Sequence, residues 1–450
     1  FDFSISLLRW SPFSFFIIIV QSMQWAITAQ MFVMTAYLTP TGKTVANGTY
    51  TSVRDEWPDE PRYFVWMDSY ELISASEFAG NIFFGMIPNL LSDRYGRRAA
   101  LVAVLFGITI ADTACALAPN FWFLIFSRFF QGAFLNAMFT LNFVHCMESV
   151  NGQSRFLATC CFGLFWTFGY CVIAPTALVI GSWRWILGIN AIVALVCAVI
   201  QLMVVPESPS FCVAQNDRSN FENFVVISKL FNRNSYEVDY DAIFGKKIFE
   251  SIEEVNSIGT IFKYLFKNRP VCIVLLVICY AEFATFLSYA GISFDSTSLN
   301  VGDSNWIFIF SGLVEFPAYC VFPKLLDWFP SKFVMIVVFA CASGSLVALK
   351  FIPHDLTALY IAFWLLSKFF ATSCYMTSLI VASELFPTKC RSFAVGFALT
   401  FSNIGSIIAP HLGVLNDILP DLAFLVFGAA LAIATVLVAI FIPRNTKFEA

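Results

Sequence analysis

We single out seven ionisable side chains inside long apolar stretches of the sequence: Asp112, Arg128, His145, Glu282, Glu315, Lys368 and His411. A charge held in hydrocarbon costs at least about 2.5–3.5 kcal/mol, so such side chains are candidates for binding a charged solute or for ion pairing. Arg128, Lys368 and His145 lie toward the ends of their stretches, where contact with a polar boundary explains them equally well. His411 is better explained as a hydrogen-bonded core histidine.

The residue pattern gives no indication of an enzyme. No nucleophile–base pair and no metal-ligand spacing stands out, so we expect no enzyme activity, no cofactor and no metal site. The thirteen Cys residues lie mostly within apolar runs, where they act as small hydrophobic side chains. The net charge of −4 and the pI near 5.5 provide no basic surface, which excludes nucleic acid as a partner.

The composition is typical of a protein embedded in a lipid membrane. Hydrophobic residues make up 59% of the chain and charged residues only 12%, whereas soluble proteins carry about 25% charged residues. A membrane-spanning helix needs roughly 20 mainly apolar residues. Twelve runs meet that need: 12–36, 70–91, 99–118, 121–146, 157–180, 184–205, 270–293, 305–323, 333–352, 356–381, 393–414 and 421–442. We therefore predict an all-α integral membrane protein with twelve transmembrane helices.

The distribution of Lys and Arg predicts the orientation of the chain in the membrane. If both termini are cytoplasmic, the inner side carries nineteen Lys and Arg residues and the outer side four, and positive charge collects on the cytoplasmic side. The outer loop 37–68 also contains an N-glycosylation sequence at Asn47. We expect a glycosylated multi-pass protein of the plasma membrane.

The spans divide into two groups of six around a polar segment. The prediction is an N-terminal bundle over 1–206, a cytoplasmic linker over 207–269 and a C-terminal bundle over 270–450. The two halves resemble each other: LSDRYGRR at 91–98 follows the second span, and LLDWFPSK at 325–332 follows the eighth. Two related bundles predict a solute site between them, near the middle of the membrane.

A second charged element recurs in both halves. Glu148 precedes Arg155 by seven residues after the fourth span, and Glu384 precedes Arg391 by seven after the tenth. A positive-charge signal that fixes the orientation in the membrane would explain the arginines. It would not explain why the acids also repeat. We predict a reversible charge relay that gates the two bundles, formed by Asp93, Arg97, Arg98, Glu148, Arg155, Asp327, Glu384 and Arg391.

Several motifs resemble one known group of membrane carriers. DRYGRR at 93–98 resembles the signature of the major facilitator superfamily. The other motifs are RFFQG at 128–132, WRW at 183–185, PESPS at 206–210, LVEFP at 313–317, ELFPTKCR at 384–391 and NIGSIIAP at 403–410. Together they are similar to the organic cation/anion/zwitterion transporter family within that superfamily. The resemblance implies two six-helix bundles that expose a central site alternately to each side.

The chain departs from this family in three places, so we identify it as a divergent member. The first outer loop is short and lacks the paired cysteines of the family. Asn89 stands where the signature usually has Gly, and Pro443-Arg444-Asn445-Thr446 replaces the usual Pro-Glu-Thr. These departures weaken any transfer of a substrate from the family to this chain.

The resemblance also implies which residues face the solute. Phe139, Phe143, Trp166 and Tyr289 align with inward positions of the family cavity, and Glu315 and Asn403 align with a carboxylate position and a charge-selective position. Glu282 is specific to this chain, and it shares a helix face with Tyr289 because the two are seven residues apart. We predict that Glu282 supplies the main negative potential felt by the solute. For Glu282 and Glu315 the alternative is a buried carboxyl group bonded to a neighbouring helix.

The function predicted from these features is transport of a small organic solute across the lipid membrane, with an organic cation or a zwitterion favoured. Aromatic faces attract organic cations at roughly 0.5–2 kcal/mol per ring. Two alternatives remain open. One is a carrier of sugars or other neutral solutes, and the other is a transporter-like receptor or trafficking partner that no longer transports. The sequence leaves the coupling ion undetermined.

Overall fold

The computed structural model describes residues 11–39, 50–58, 69–150, 152–233, 240, 244, 267–296, 304–353, 355–386 and 391–443. Within these ranges the chain is helical apart from its turns and one isolated bridge between Thr51 and Ser182. The predicted glycosylation site Asn47 lies outside the described residues, as do the side chains of Asp93, Glu384 and Arg391.

In the part of the first half that the structure describes, nine α-helices precede the predicted linker. They are α1 Pro12–Val33, α2 Thr35–Leu38, α3 Val53–Glu56, α4 Leu72–Phe84, α5 Ile87–Tyr95, α6 Arg97–Ala116, α7 Phe121–Ser149, α8 Gly152–Ile180 and α9 Trp183–Met203. The second predicted span is therefore two helices, because α4 ends at Phe84 and α5 begins at Ile87.

The second half repeats this arrangement after the linker helices α10 Pro209–Ala214 and α11 Arg218–Asn232. Its helices are α12 Arg269–Asp295, α13 Ser304–Leu313, α14 Glu315–Trp328, α15 Ser331–Leu349, α16 Thr357–Leu385, α17 Arg391–His411, α18 Leu415–Ile418 and α19 Leu422–Phe441. Among the described residues, ten helices are long and apolar enough to cross a membrane. The broken second span and helix α17 are the two predicted spans outside this set.

Helices α4 and α7 pack backbone against backbone. A Cβ added at Gly132 would lie 1.7 Å from the carbonyl oxygen of Glu77, and one added at Gly80 would lie 1.8 Å from the carbonyl oxygen of Phe129. No side chain fits at either glycine without moving a helix. This close packing brings Glu77 of α4 beside Arg128 of α7.

The linker helix α11 packs against the start of α1. The rings of Phe13 and Phe224 meet edge to face at 5.3 Å, and the backbone N–H of Phe13 donates to Asn232 Oδ1 at 3.1 Å. The linker thus contacts the first half directly. Its exact boundaries, at 207 and 269, stay a prediction.

Candidate functional site

A central cavity lies between the two halves and has room of about 70 Å³ for water-sized molecules. Aromatic rings form much of its wall. The first half contributes Phe32, Phe139 and Trp166, and the second half contributes Phe286, Tyr289, Tyr319 and Tyr375. Four of the predicted solute-facing residues line this cavity: Phe139, Trp166, Tyr289 and Asn403.

Glu315 stands directly behind the aromatic wall. Its carboxylate accepts hydrogen bonds from Trp166 Nε1 at 2.9 Å and from the Tyr289 hydroxyl at 2.9 Å. Lys368 Nζ lies 3.0 Å from Glu315 Oε1 and 3.5 Å from the centre of the Tyr289 ring. Glu315 and Lys368 are both fully buried. The carboxylate therefore fixes two rings of the cavity wall while Lys368 compensates its charge.

Glu282 is buried one turn before the residues of its helix that line the cavity. Thr285, Phe286 and Tyr289 reach the wall, whereas Glu282 does not. Its Oε1 accepts a hydrogen bond from Ser378 Oγ at 2.6 Å, and its Oε2 is buried with no hydrogen-bond partner among the described residues. The role of Glu282 as the main source of negative potential stays a prediction.

Asn403 links the two halves across the cavity. Its Oδ1 accepts a hydrogen bond from Asn81 Nδ2 at 2.9 Å, and its own Nδ2 donates to the carbonyl of Leu399 at 2.8 Å. Phe143 packs one layer away, with its ring 6.0 Å from Trp25 and 5.3 Å from Phe162. It does not line the cavity.

Sequence reasoning missed several cavity residues, and most of them had a detectable signal. Tyr319 lies one helical turn after Glu315, and Tyr375 lies two turns after Lys368, so each shares a helix face with an ionisable residue that had been singled out. Asn81 and Asn136 are amides within apolar helices, and the sequence analysis did not single them out.

A turn holds the signature motif in place. Gly96, between α5 and α6, has φ +107°, a value that side chains with a Cβ rarely adopt. The Glu207 carboxylate accepts the backbone N–H of Arg97 at 2.9 Å and that of Arg98 at 3.1 Å, so it caps the start of α6. Burial raises the pKa of Glu207, and the N–H groups of Ser208, Arg98 and Arg97 oppose the rise. Sequence analysis missed this capping role.

The predicted charge relay is described only in part. Arg97 Nη2 lies 3.6 Å from Glu148 Oε1, and Ser208 Oγ donates to Glu148 Oε2 at 2.5 Å. Arg155 is exposed. In the second half, Asp327 lies 3.8 Å from Lys324 of its own helix.

A second buried polar network lies in the first half. Arg128 Nη2 contacts Glu77 Oε2 at 2.5 Å and donates to Thr35 Oγ1 at 2.8 Å, and Arg128 Nη1 donates to Gln131 Oε1. Asp112 accepts from Asn190 Nδ2 at 2.6 Å. Sequence analysis did not single out Glu77, although it lies as far into the predicted span 70–91 as Arg128 lies into the span 121–146.

The sequence left open whether some charged side chains simply reach a polar boundary. The structure excludes this for Arg128, Lys368 and His145, because all three are fully buried. His145 Nε2 lies 3.0 Å from the carbonyl oxygen of Pro206. His411 is not a core histidine, since its Nδ1 lies 2.5 Å from Glu71 Oε2 at a partly exposed contact between the halves.

Two bundles around a central aromatic cavity define a membrane carrier of small solutes. The profile of the Major Facilitator Superfamily matches residues 13–340 and 271–449. The chain belongs to this superfamily, and the predicted fold is confirmed. The inward-open xylose transporter XylE of E. coli has the same fold, with a TM-score of 0.69 at 15% identity over 96% of this chain and 97% of XylE.

Two relatives are similar over most of the chain. The organic cation transporter protein of Drosophila melanogaster is 27% identical over 384 residues, which are 84% of this chain and 68% of the relative. Solute carrier family 22 member 2 of Rattus norvegicus is 28% identical over 385 residues, which are 83% of this chain and 66% of the relative. The chain thus spans about two thirds of each relative.

Proposed function

We propose that the chain carries small organic cations or zwitterions across the plasma membrane by alternating access, with both termini cytoplasmic and with no chemical step, cofactor or nucleic-acid partner. The observation that carries this proposal is the central cavity, whose wall is built from aromatic rings of both halves. Ring faces attract organic cations at about 0.5–2 kcal/mol each. The similarity to the relative named as an organic cation transporter protein supports it.

Buried carboxylates near the cavity favour a positive group on the solute. Glu315 and Glu282 are both buried beside the wall, and Lys368 compensates only the first of them. Asn81, Asn136 and the other polar groups of the wall offer donors and acceptors for a second, uncharged or anionic part of the solute. A zwitterion therefore fits as well as a simple cation.

Alternating access needs contacts that break and re-form between states. The pair of Arg97 and Glu148 is partly exposed, and pairs of this kind contribute only about 0–1 kcal/mol. Such a weak contact suits a reversible gate. We therefore retain the charge relay as part of the proposal. Its further members are Asp93, Arg98, Arg155, Asp327, Glu384 and Arg391.

Exchange across a sealed membrane tests the proposal. The full chain is reconstituted in proteoliposomes loaded with tetraethylammonium, and entry of labelled tetraethylammonium is measured against competing glycine betaine, benzoate and xylose. We expect exchange that glycine betaine inhibits and that benzoate and xylose do not. Exchange of labelled xylose in xylose-loaded vesicles, without exchange of tetraethylammonium, would identify a neutral-solute carrier, and absence of exchange of both labelled solutes would indicate a receptor or trafficking role.

A matched pair of variants separates the two carboxylates. Glu282→Gln removes one charge and keeps the bond to Ser378, whereas Glu315→Gln removes the charge that Lys368 compensates. If Glu282 supplies the potential, Glu282→Gln raises the apparent KM for tetraethylammonium about five- to tenfold, which corresponds to about 1–1.4 kcal/mol. An unchanged KM in Glu282→Gln with a raised KM in Glu315→Gln would transfer this role to Glu315.

A further inference from the structure

Among the described residues of the first half, one buried network holds two acids and a single cation. Glu77, Asp112 and Arg128 are each fully buried and belong to one hydrogen-bonded network. When both carboxyl groups are ionised, the network carries two negative charges against one guanidinium. The fourth titratable group beside it, the buried thiol of Cys115, adds no positive charge.

Asp112 has the surroundings of an ionised carboxylate. Its Oδ1 accepts a hydrogen bond from Gln131 Nε2, and its Oδ2 accepts one from Asn190 Nδ2 at 2.6 Å. Both oxygens thus face N–H donors. A proton on either oxygen would point at an N–H group, which cannot accept a hydrogen bond.

Glu77 has the opposite surroundings. Its Oε2 contacts Arg128 at 2.5 Å, but its Oε1 is buried with no hydrogen-bond partner among the described residues. An amide oxygen of the same network, Asn190 Oδ1, is also buried and without a hydrogen-bond partner there. Within the described part of the chain, the network therefore holds a buried carboxylate oxygen without a partner and one uncompensated charge, and a single proton on Glu77 Oε1 would cancel that charge.

We propose that this network is a coupling site for one exchangeable proton, which Glu77 binds and releases during the transport cycle. An uncompensated charge in a dry interior costs several kcal/mol. The proton is the smallest cation that cancels it without requiring room for a hydration shell or for several oxygen ligands. The inference rests on the proposed transport function and adds its driving ion.

Helix α4 connects this site to the solute cavity. Asn81 lies one helical turn after Glu77, lines the cavity and donates to Asn403 of the other half. Gly80 and Gly132 hold α4 rigidly against α7 at the same level. The contact between Glu77 and Arg128 therefore belongs to a helix that also forms the interface between the halves.

The test drives net transport with a proton gradient. Proteoliposomes containing the full chain receive a pH step of one unit, while valinomycin and equal potassium concentrations hold the membrane potential at zero. We expect tetraethylammonium to accumulate up to about tenfold, the limit for one proton per solute at one pH unit. A sodium gradient in place of the proton gradient should have no effect.

Two single variants balance the charges of the network without a proton. Asp112→Asn leaves Glu77 paired with Arg128, and Glu77→Gln leaves Asp112 as the only acid. Both should keep tetraethylammonium exchange between equal pools and lose the response to the pH step. A control variant at a partly exposed ion pair, Glu56→Gln, should keep both activities.

Direct detection of the proton completes the test. Solute added to the wild-type protein in weakly buffered detergent should change the signal of a pH-sensitive dye, and Asp112→Asn should abolish that change. Accumulation driven by sodium alone would overturn the inference, and so would pH-driven accumulation that persists in both variants. If exchange between equal pools fails in the wild type as well, the proposed transport function fails instead.

Discussion

Both halves of the molecule bury an ion pair between equivalent helices, but the two pairs have different neighbours. In the first half Glu77 pairs with Arg128, and in the second half Glu315 pairs with Lys368. Each acid comes from the second membrane-spanning element of its half, and each cation comes from the fourth. The pairs therefore belong to the internal repeat that the charged loops already indicated.

The difference lies in what surrounds each pair. Amide side chains and a second acid, Asp112, surround the pair of the first half. Aromatic donors from the cavity wall, Trp166 and Tyr289, surround the pair of the second half. The third span of the second half, Ser331–Leu349, contains no acid at all. The ion pair of the first half thus lies beside an acid whose charge is not compensated. The equivalent pair of the second half instead positions rings of the cavity wall.

Removing the cation of each pair should have the largest effect, and the two halves should respond unequally. Arg128→Ala leaves two buried carboxylates without a cation, and breaking a buried pair costs about 3–5 kcal/mol. Lys368→Ala leaves one carboxylate that still accepts two hydrogen bonds, so its loss should be smaller. The thermal unfolding midpoint in detergent and the amount of folded protein measure both losses.

A double variant checks the reason for this inequality. Asp112→Asn combined with Arg128→Ala should recover part of the lost stability, because it removes one of the two uncompensated charges. Equal losses in Arg128→Ala and Lys368→Ala, with no recovery in the double variant, would show that charge balance does not distinguish the halves.

The signature turn offers a second comparison, with a smaller expected effect. Gly96→Ala forces a side chain into φ +107°, and the added Cβ would lie 2.4 Å from Glu207 Oε2. A strained residue of this kind costs about 1–3 kcal/mol. The corresponding loop of the second half has extended backbone at Phe329 and Pro330, so Pro330→Ala should cost less. If chemical unfolding shows that Gly96→Ala and Pro330→Ala lose the same stability, the assignment of backbone strain to Gly96 is wrong.

The sequence was sufficient for the helices and for much of the aromatic cavity wall. A membrane span depends on length and apolarity, which are local properties, so most spans were predicted within a few residues. The break between Phe84 and Ile87 was not predicted, because the residues around it remain apolar enough to continue a span. The polar network of the first half was also missed, since Glu77 and Arg128 are 51 residues apart and meet only through the packing of two helices.

Burial was the property that sequence reasoning estimated least well. Arg128 and Lys368 are fully buried, and Lys368 lies at the middle of its predicted run 356–381 rather than toward its end. Glu207 was recognised only as part of a motif. Its capping of α6 joins residues 110 positions apart, so no local pattern could reveal it.

The smallest predicted effect concerns a charge added to the cavity wall. Asn403→Asp places a carboxylate where Asn81 Nδ2 can still donate to it, and at the cost of one bond to the Leu399 carbonyl. The attraction to a cation, reduced by the cost of burying the new charge, should amount to about 1 kcal/mol, or about a fivefold lower KM for tetraethylammonium. Asn403→Ala, which removes the link between the halves and adds no charge, should leave that KM within about twofold.

Because the wall and the first-half network have separate roles, Asn403→Asp should change KM and keep the response to a pH step. Asp112→Asn should keep KM and lose the response to a pH step. A shift of KM in Asp112→Asn as large as that in Asn403→Asp would mean that both halves contribute to solute binding, and the division between the two ion pairs would have to be abandoned.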